Sequence, residues 1–544
     1  MIFLRDRKVR KALVLILISF VVSIIFIKQE VSQTSWSVLP PAIAIFIAFV
    51  SGRLALSLGS AVFFGSFISI YGSSQSVLES AGEGSVKMMS FFWGALSEPA
   101  NLQILGFVFF ILSMVHIMTI SGGLHALVNS LKGFIVGPRS AQVVTVLMGC
   151  LIFIDDYANT MIVGSTMKKV TDRYGISRQK LAFLVDATSA PIAGVALVST
   201  WIGYEVGLFS EMAKKLGWGV DGYSVFLDAI PFRFYCFFML FFVFVNTISG
   251  IDFGPMKESK AVIDEEEEEE ELEGHIASAL VPLGLLLSLV FSLLWIDGGG
   301  LKPENSLVSL TSWRNVLTQS ENGVLILLLS SFCCYIVSII LAKILSKVSF
   351  KKLGEGFLLG LKSSLLPIMI LILAWSLKSV CDDLETGKYI VSLLGDKVNP
   401  LWMPIAIFII SALTAFSTGT SWGTMAILIP TVSPLAMALA TNAQYGPYVA
   451  LCLAAILDGA IMGDHCSPVS DTTIMSSIST DCDLIDHVKT QLPYSLIVGV
   501  IALTVGYLPS SYGWPYWFSV LAAVILIVSL FVVIKKWPQK RRAI

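Results

Sequence analysis

Charged residues are scarce in this sequence. Only 14% of its 544 residues are Asp, Glu, Lys or Arg, whereas soluble globular domains carry about 25%. Basic residues are not in excess either, since 36 Lys and Arg stand against 38 Asp and Glu, and this argues against a nucleic-acid-binding protein. The eight cysteines are scattered without the spacing of a zinc ribbon. The shortage of charge therefore indicates a protein that lies mostly in a bilayer.

Two motifs of common enzymes and pumps are absent as well. The sequence contains no HExxH metalloprotease motif and no GxxxxGK[ST] phosphate-binding loop. The missing loop argues against an ATP-driven pump. An intramembrane enzyme stays as an alternative, because Asp and His occur within apolar segments, but it would need a nucleophile with a base or a metal site. We expect no catalytic residues and no bound cofactor.

Long apolar runs make up most of the chain, which is 55% hydrophobic. A transmembrane helix needs about 20 mostly apolar residues. The first run follows a basic start without a small-residue cleavage site, so it is interpreted as an uncleaved helix. The predicted spans are 12–28, 38–52, 55–71, 101–120, 180–208, 224–249, 276–296, 322–346, 355–379, 446–480, 490–509 and 516–535.

Two further apolar stretches have polar centres. The stretch 140–171 contains IDDYANT (154–160), and the stretch 399–434 contains STGTSWGT (417–424). Lys and Arg flank the first stretch on both sides, whereas the second has little positive charge near either end. Because Lys and Arg favour the cytoplasmic side, we predict two re-entrant hairpins that enter from opposite faces. The same rule places the N- and C-termini in the cytoplasm.

The two hairpins lie within corresponding segments of the chain. Three pairs of positions align, namely Gly123 with Gly387, Thr160 with Thr424 and, after an insertion, Asp186 with Asp458. The first two pairs have the same separation, and the number of crossings between the copies makes one copy inverted. Such repeats are common in secondary transporters. The predicted fold class is an all-α polytopic membrane protein with about 12 transmembrane helices and two re-entrant hairpins in an inverted repeat.

The predicted division of the chain follows this repeat. Within the repeats, 180–208 and 446–480 are predicted to be broken helices. An acidic run from Asp264 to Glu271 is typical of a solvated loop, with cation sensing as the alternative. The units are N-terminal transmembrane helices (1–75), a first inverted repeat (101–249), an acidic cytoplasmic loop (250–275), linking helices (276–350), a second inverted repeat (355–509) and a last helix with a basic cytoplasmic tail (516–544).

Polar side chains concentrate at the hairpins and the broken helices, where a carboxylate costs about 2.5–3.5 kcal/mol at membrane depth. Hard cations prefer carboxylate, hydroxyl and carbonyl oxygens. Burial also favours a protonated carboxylate, so one site can hold Na⁺ and H⁺ in turn. The candidate ion- or substrate-binding residues are Asp155, Asp156, Asn159, Thr160, Asp186, Asp458, Asp464, His465, Ser467, Ser470, Asp471 and Thr472. The predicted Na⁺ ligands are Asp155, Asp156, Asp458 and Asp464.

Structural roles are the alternative for several of these residues. Asp186 and Asp458, which are predicted to open the two helix breaks, could each cap a half-helix, and Asp471 could belong to a capping turn. His465 could titrate near neutral pH or bridge carbonyl groups. A zinc site formed by Asp464, His465, Cys466 and Asp471 is disfavoured because adjacent residues fit one metal poorly.

Three segments resemble those of the NhaC-type Na⁺/H⁺ antiporter family. FIDDYANTMIVG (153–164) resembles its first hairpin motif, and GDHCSPVSDTTIMSS (463–477) closely resembles its broken-helix motif. LAWSLKSVCDDL (373–384) is also similar to this family. The resemblance covers most of 100–510. It implies a fold of the ion-transporter type, a bacterial inner membrane and cation-coupled transport.

The resemblance leaves the substrate open. The family includes Na⁺/H⁺ antiporters, antiporters of Na⁺–lactate against H⁺–malate, and transporters assigned to amino acids. Its first motif often has a bulky residue where Ala158 stands, and a small side chain there would leave room for an organic solute.

The sequence thus predicts a secondary transporter rather than an enzyme. The leading prediction is a Na⁺/H⁺ antiporter that works by alternating access in the cell inner (plasma) membrane. The alternative is a Na⁺-coupled transporter of an amino acid or of an organic anion such as malate or lactate. The predicted partners are Na⁺ and H⁺ as transported ions, a small organic solute in the alternative, the lipid bilayer and, as an option, a second copy in a homodimer; no nucleic acid is expected.

Overall fold

The computed structural model describes Ile27 and residues 31–541, apart from 52, 75, 260–273, 304, 310–311, 314–315, 317–319, 321, 387, 390–391, 393–398, 441–443 and 469. Within these residues the chain is helical and contains no strand. The predicted helix 12–28, except for Ile27, and the acidic run 264–271 lie outside the described part of the chain.

Twenty-one α-helices organise the described chain. They are α1 (Leu39–Ser51), α2 (Leu54–Ser74), α3 (Val77–Ser97), α4 (Pro99–Ile120), α5 (Gly123–Asn129), α6 (Pro138–Leu151), α7 (Asp156–Arg173), α8 (Arg178–Ala193), α9 (Thr200–Leu216), α10 (Gly222–Ala229), α11 (Phe234–Ser249), α12 (Ala277–Asp297), α13 (Gly323–Ile344), α14 (Phe350–Asp383), α15 (Met403–Thr418), α16 (Ser421–Leu439), α17 (Pro447–Cys466), α18 (Asp471–Thr480), α19 (Leu484–Ile501), α20 (Leu508–Ser511) and α21 (Tyr516–Arg541). A π-helical turn, Ala502–Tyr507, joins α19 to α20.

Eleven helical segments in the described chain are long and apolar enough to cross a membrane. The molecule is therefore an all-α polytopic membrane protein, as predicted. The sequence analysis missed α3, whose three charged residues hide it from an apolar-run search. It also treated 224–249 as one span, whereas the chain breaks at Arg233 between α10 and α11.

Both predicted hairpins are pairs of packed helices with a short break. In the first, α6 and α7 flank the break at 152–155; in the second, α15 and α16 meet at Gly419 and Thr420. Gly419 has φ of 68°, a left-handed conformation that ends α15 at little cost for glycine. The arms α15 and α16 are each long enough to be candidate spans, so re-entry of the second hairpin stays a prediction.

The helices of the two repeats occur in the same order. Each repeat has a long helix (α4 or α14), two hairpin arms, and a helix broken near its middle (α8 with α9, or α17 with α18). The side-chain caps Asp155 and Thr420 begin α7 and α16, which places the structural register one residue away from the predicted match of Thr160 with Thr424.

The two repeats pack across each other. Helix α9 of the first repeat contacts α16 of the second, and α18 of the second contacts α7 and α8 of the first. Close approach is built into α17, because a Cβ at Gly459 or Gly463 would lie 2.4 or 2.1 Å from a backbone carbonyl oxygen of α15. Small residues allow such backbone contact between membrane helices, and α17 is the most buried candidate span.

Candidate functional site

The tip of the first hairpin is tied to the break between α8 and α9. Asp155 caps α7, with its Oδ1 accepting from the backbone N–H of Ala158 at 2.8 Å. Its Oδ2 accepts from the Thr200 hydroxyl at 3.1 Å, and the Thr200 N–H donates to the Ile154 carbonyl at 2.9 Å. Both carboxylate oxygens of Asp155 are therefore used, and this residue positions the tip.

The first turns of α7 present three buried oxygens without a hydrogen-bond partner in the described protein. They are Oδ1 of Asp156, Oδ1 of Asn159 and the hydroxyl of Thr160. The amide nitrogen of Asn159 donates to the carbonyls of Gly149 and Ile152 at 2.6 and 3.1 Å. These bonds satisfy the end of α6 and hold the Asn159 side chain in place, which leaves its oxygen available.

Asp464 lies near the end of α17, and α18, which contacts it through Thr472, packs against α7, the helix that carries Asp156. Oδ2 of Asp464 accepts from the Thr472 hydroxyl at 3.1 Å, and its Oδ1 has no partner in the described protein. Ser470 caps α18 and lies 3.1 Å from the Thr472 hydroxyl, oxygen to oxygen. Asp464, on one side of the break between α17 and α18, is therefore held by a side chain from the first turn of α18.

Asp186 is fully buried in the middle of α8. The sequence analysis placed the helix break at this residue, but α8 continues to Ala193, where the Ser199 hydroxyl binds the terminal carbonyl at 2.7 Å. Oδ2 of Asp186 accepts from the side-chain amide of Gln491 at 2.6 Å and from the Thr473 hydroxyl at 3.4 Å. Oδ1 has no partner in the described protein.

Thr473 and Gln491 also connect Asp186 to the end of α17. The Thr473 hydroxyl lies 3.3 Å from the Asp464 carbonyl, and the Gln491 amide donates to the His465 carbonyl at 2.9 Å. His487 places Nε2 3.5 Å from Oδ2 of Asp186. The sequence analysis missed these three residues. His487 and Gln491 are four residues apart on α19, and this pair of buried polar side chains one turn apart was the available signal.

The remaining residues of the GDHCSPVSDTT segment have different surroundings. His465 is buried, with Nδ1 3.0 Å from the Tyr235 hydroxyl. Ser467 donates to the Phe416 carbonyl at 2.7 Å and thereby ties this segment to α15. Asp471 is exposed at the start of α18 and accepts from the Tyr157 hydroxyl at 3.2 Å.

Asp458 is not part of this group. It lies mid-helix in α17, not at the break, and its Oδ1 accepts from Nε of Arg233 at 2.9 Å. Its Oδ2 accepts from the Tyr235 N–H at 2.6 Å and from the Tyr507 hydroxyl at 2.9 Å. Arg233 also contacts Glu205 at 3.2 Å. Glu205, Arg233 and Asp458 thus form a fully buried ion triad.

The four carboxylates of the predicted Na⁺ set therefore separate. Asp458 is paired with Arg233 and Asp155 serves as a cap, while Asp156 and Asp464 each keep an oxygen without a partner. No group of three His, Cys, Asp or Glu side chains suited to a metal occurs among the described residues. A cation held here would need a mixed set of carboxylate, amide, hydroxyl and carbonyl oxygens, as hard cations accept.

The second hairpin tip carries an aromatic contact instead of carboxylates. Trp422 stacks on Tyr204 of α9 at 4.4 Å between ring centroids, and Trp201 lies edge-on to it at 6.1 Å. Tyr157 occupies the equivalent second position of α7 and is 40% exposed. The residues GTSWG (419–423) match the letters of a GxSxG nucleophile motif, but the Ser421 hydroxyl donates to the Ala460 carbonyl at 3.4 Å.

Broken helices that pack across two repeats, beside buried oxygens that lack partners in the described chain, are typical of a secondary transporter. A model of the Na⁺/H⁺ antiporter family matches residues 192–511, more than half of the chain, and the chain belongs to this family. The family predicted from the hairpin and broken-helix motifs is thereby confirmed.

Individual proteins are similar to this chain over different shares of its length. An uncharacterized protein of Haemophilus influenzae is 32% identical over 521 residues, which cover 93% of this chain and 97% of that protein. The arginine/ornithine antiporter ArcD of Halobacterium salinarum is 33% identical over 156 residues, or 28% of this chain and 30% of ArcD. The crystal structure of the Alcanivorax borkumensis YdaH transporter matches with a TM-score of 0.51 and 14% identity, over 79% of this chain and 88% of that one, and shows the similarity of fold.

Proposed function

We propose that this chain is a Na⁺/H⁺ antiporter whose cation site lies between Asp156 and Asp464. The observation that carries the proposal is the set of buried carboxylate oxygens that lack partners in the described chain, on α7 and α17, two helices that α18 contacts. A buried carboxylate must bind either a cation or a proton to avoid a large desolvation cost. Exchange follows if Na⁺ and H⁺ compete for these same oxygens.

The neighbouring residues supply the rest of the ion's shell. We assign Asn159 Oδ1 and the Thr160 hydroxyl as neutral ligands, because both are buried and lack partners in the described chain. Asp186 is assigned to the same polar group through Thr473, which contacts both Asp186 and the Asp464 backbone.

The other residues predicted for the site hold it in place. Thr472 and Ser470 orient Asp464 from the start of α18, and Ser467 fixes the end of α17. Asp155 anchors the hairpin tip. We assign Asp458 to the stability of the fold, since both of its oxygens already accept hydrogen bonds.

Alternating access is supported by the difference between the two hairpin tips. Trp422 packs tightly against α9, whereas Tyr157, at the equivalent position, is partly exposed beside the exposed Asp471. Rocking one repeat against the other would exchange these two environments. Membership of this family supports a place in the plasma membrane, and the distribution of Lys and Arg supports an orientation with both termini in the cytoplasm.

The test uses proteoliposomes that contain a trapped pH indicator. Addition of Na⁺ alone should move protons in the wild type, and Asp464→Asn should abolish this movement without loss of folded protein. Asp383→Asn is the matched control, because that carboxylate is partly exposed and pairs with Lys87. Wild-type proton movement in Asp464→Asn would refute the assignment.

Exchange of an organic solute is the second candidate. It is favoured by the similarity to the arginine/ornithine antiporter ArcD and by the small, half-buried Ala158 beside the hairpin tip. This candidate predicts no proton movement with Na⁺ alone. A panel of amino acids and dicarboxylates, measured by substrate-dependent ²²Na⁺ flux, would then identify the co-substrate.

A further inference from the structure

A polar cavity of about 520 Å³ is lined by residues other than those of the proposed cation site. Its lining includes Lys257 and Lys535. These two lysines lie near the ends of two candidate spans, Phe234–Glu258 and Tyr516–Lys536. The ends of membrane-crossing helices lie at the depth of the lipid headgroups, so we expect the cavity to lie at that depth.

The cavity carries an excess of positive charge. Its one carboxylate, Asp252, is matched by the buried ammonium of Lys180 at 2.6 Å and also accepts from the Tyr494 hydroxyl. Lys257 and Lys535 are exposed, and neither pairs with an acidic side chain in the described chain. The cavity is thus suited to an anion.

The neighbouring backbone and side chains add to this preference. Helix α6 begins at Pro138, which lines the cavity, and a helix N-terminus favours negative charge. The guanidinium of Arg139 lies close to Gly250, another lining residue, since a Cβ there would be 3.0 Å from its Nε. These groups extend the positive region around the cavity.

One lining group, the side-chain oxygen of Gln142, can accept a hydrogen bond from a ligand. Gln142 is 9% exposed, and its side-chain oxygen has no hydrogen-bond partner in the described protein. A phosphate diester bound to lysines offers only acceptors, whereas a polyol headgroup also offers hydroxyl donors. The cavity therefore matches a group that combines a phosphate with a hydroxyl.

We propose that this cavity binds the headgroup of an anionic phospholipid of the phosphatidylglycerol type. The phosphate would lie between Lys257 and Lys535, and a headgroup hydroxyl would donate to Gln142. Basic pockets between transmembrane helices bind other anionic headgroups, those of cardiolipin and phosphoinositides, in membrane proteins. The inference is independent of which solute the protein transports.

The experiment measures phosphatidylglycerol retained by the full-length protein in detergent, by native mass spectrometry, against phosphatidylcholine. The double variant Lys257→Gln/Lys535→Gln should bind phosphatidylglycerol about 10- to 30-fold more weakly, the effect expected of two lysines near an anionic lipid. The control is Lys352→Gln/Lys536→Gln, which removes two exposed lysines outside the cavity lining and leaves retention unchanged.

Three outcomes would overturn the proposal. Equal loss in the control variant would indicate general attraction to a basic surface. Displacement of phosphatidylglycerol by millimolar inorganic phosphate would identify free phosphate as the ligand. A large gain in lipid binding after the acidic run Glu265–Glu271 is changed to Gln would show that this segment, which follows the lining residue Ser259, is the occupant.

Discussion

Substitutions in the buried ion triad of Glu205, Arg233 and Asp458 can distinguish a structural role of these residues from a role in transport. Replacing Arg233 by Met leaves two carboxylates buried without their shared cation. Breaking a buried ion pair by removing one partner costs about 3–5 kcal/mol. Arg233→Met should therefore be the most destabilising single change in the triad.

Asp458→Asn and Glu205→Gln should destabilise the protein less than Arg233→Met, because each leaves Arg233 paired with the other carboxylate. Asp458→Asn leaves one cation, Arg233, with one carboxylate, Glu205. A single amide oxygen must then replace the two oxygens that accept from Arg233, Tyr235 and Tyr507. A lost hydrogen bond to a charged group is worth about 1.5–3 kcal/mol. Glu205→Gln loses only the longer contacts of 3.2 and 3.3 Å and should cost least.

The assay is thermal unfolding of the purified protein in detergent, followed by tryptophan fluorescence, together with Na⁺-driven proton movement. The triple change Arg233→Met, Asp458→Asn and Glu205→Gln removes every charge of the triad and should recover part of the stability lost in Arg233→Met. If Arg233→Met is as stable as the wild type, the structural role is refuted. If Asp458→Asn is fully stable yet inactive, Asp458 carries the ion, as its position in the sequence alone suggested.

Three further predictions concern packing, capping and competition. Gly463→Ala should destabilise the protein strongly, because the new Cβ would lie 2.1 Å from the Ala412 carbonyl, while Gly82→Ala, with nothing within 4 Å, should leave the melting temperature nearly unchanged. Asn159→Ala should cost about 1–3 kcal/mol in thermal unfolding, since the Gly149 and Ile152 carbonyls lose their donor; unchanged stability would contradict that capping role. Lowering the pH should raise the apparent KM for Na⁺ in flux assays, since protons occupy the same carboxylates, and a KM independent of pH would exclude shared ligands.

The sequence predicted the two hairpin breaks better than the breaks between α8 and α9 and between α17 and α18. Gly, Ser, Thr and Asp have local conformational effects, so the polar centres 154–160 and 417–424 indicated the hairpin breaks that the structure has at 152–155 and at Gly419 and Thr420. Asp186 and Asp458 were assigned to breaks because polar residues in apolar runs suggest interruptions. The helices continue through both positions because each carboxylate receives partners from distant helices.

By itself, the sequence determined the membrane class, most of the spans, both hairpin breaks and the family, because apolar length, charge distribution and short motifs are properties of neighbouring residues. Only the tertiary structure decided which buried carboxylates keep an oxygen without a hydrogen-bond partner in the described chain. Arg233 reaches Asp458 from 225 residues away, and Gln491 reaches Asp186 from 305 residues away. In the sequence, a carboxylate that has a partner cannot be distinguished from one that has none. The partner depends on which helices pack together and not on position along the chain.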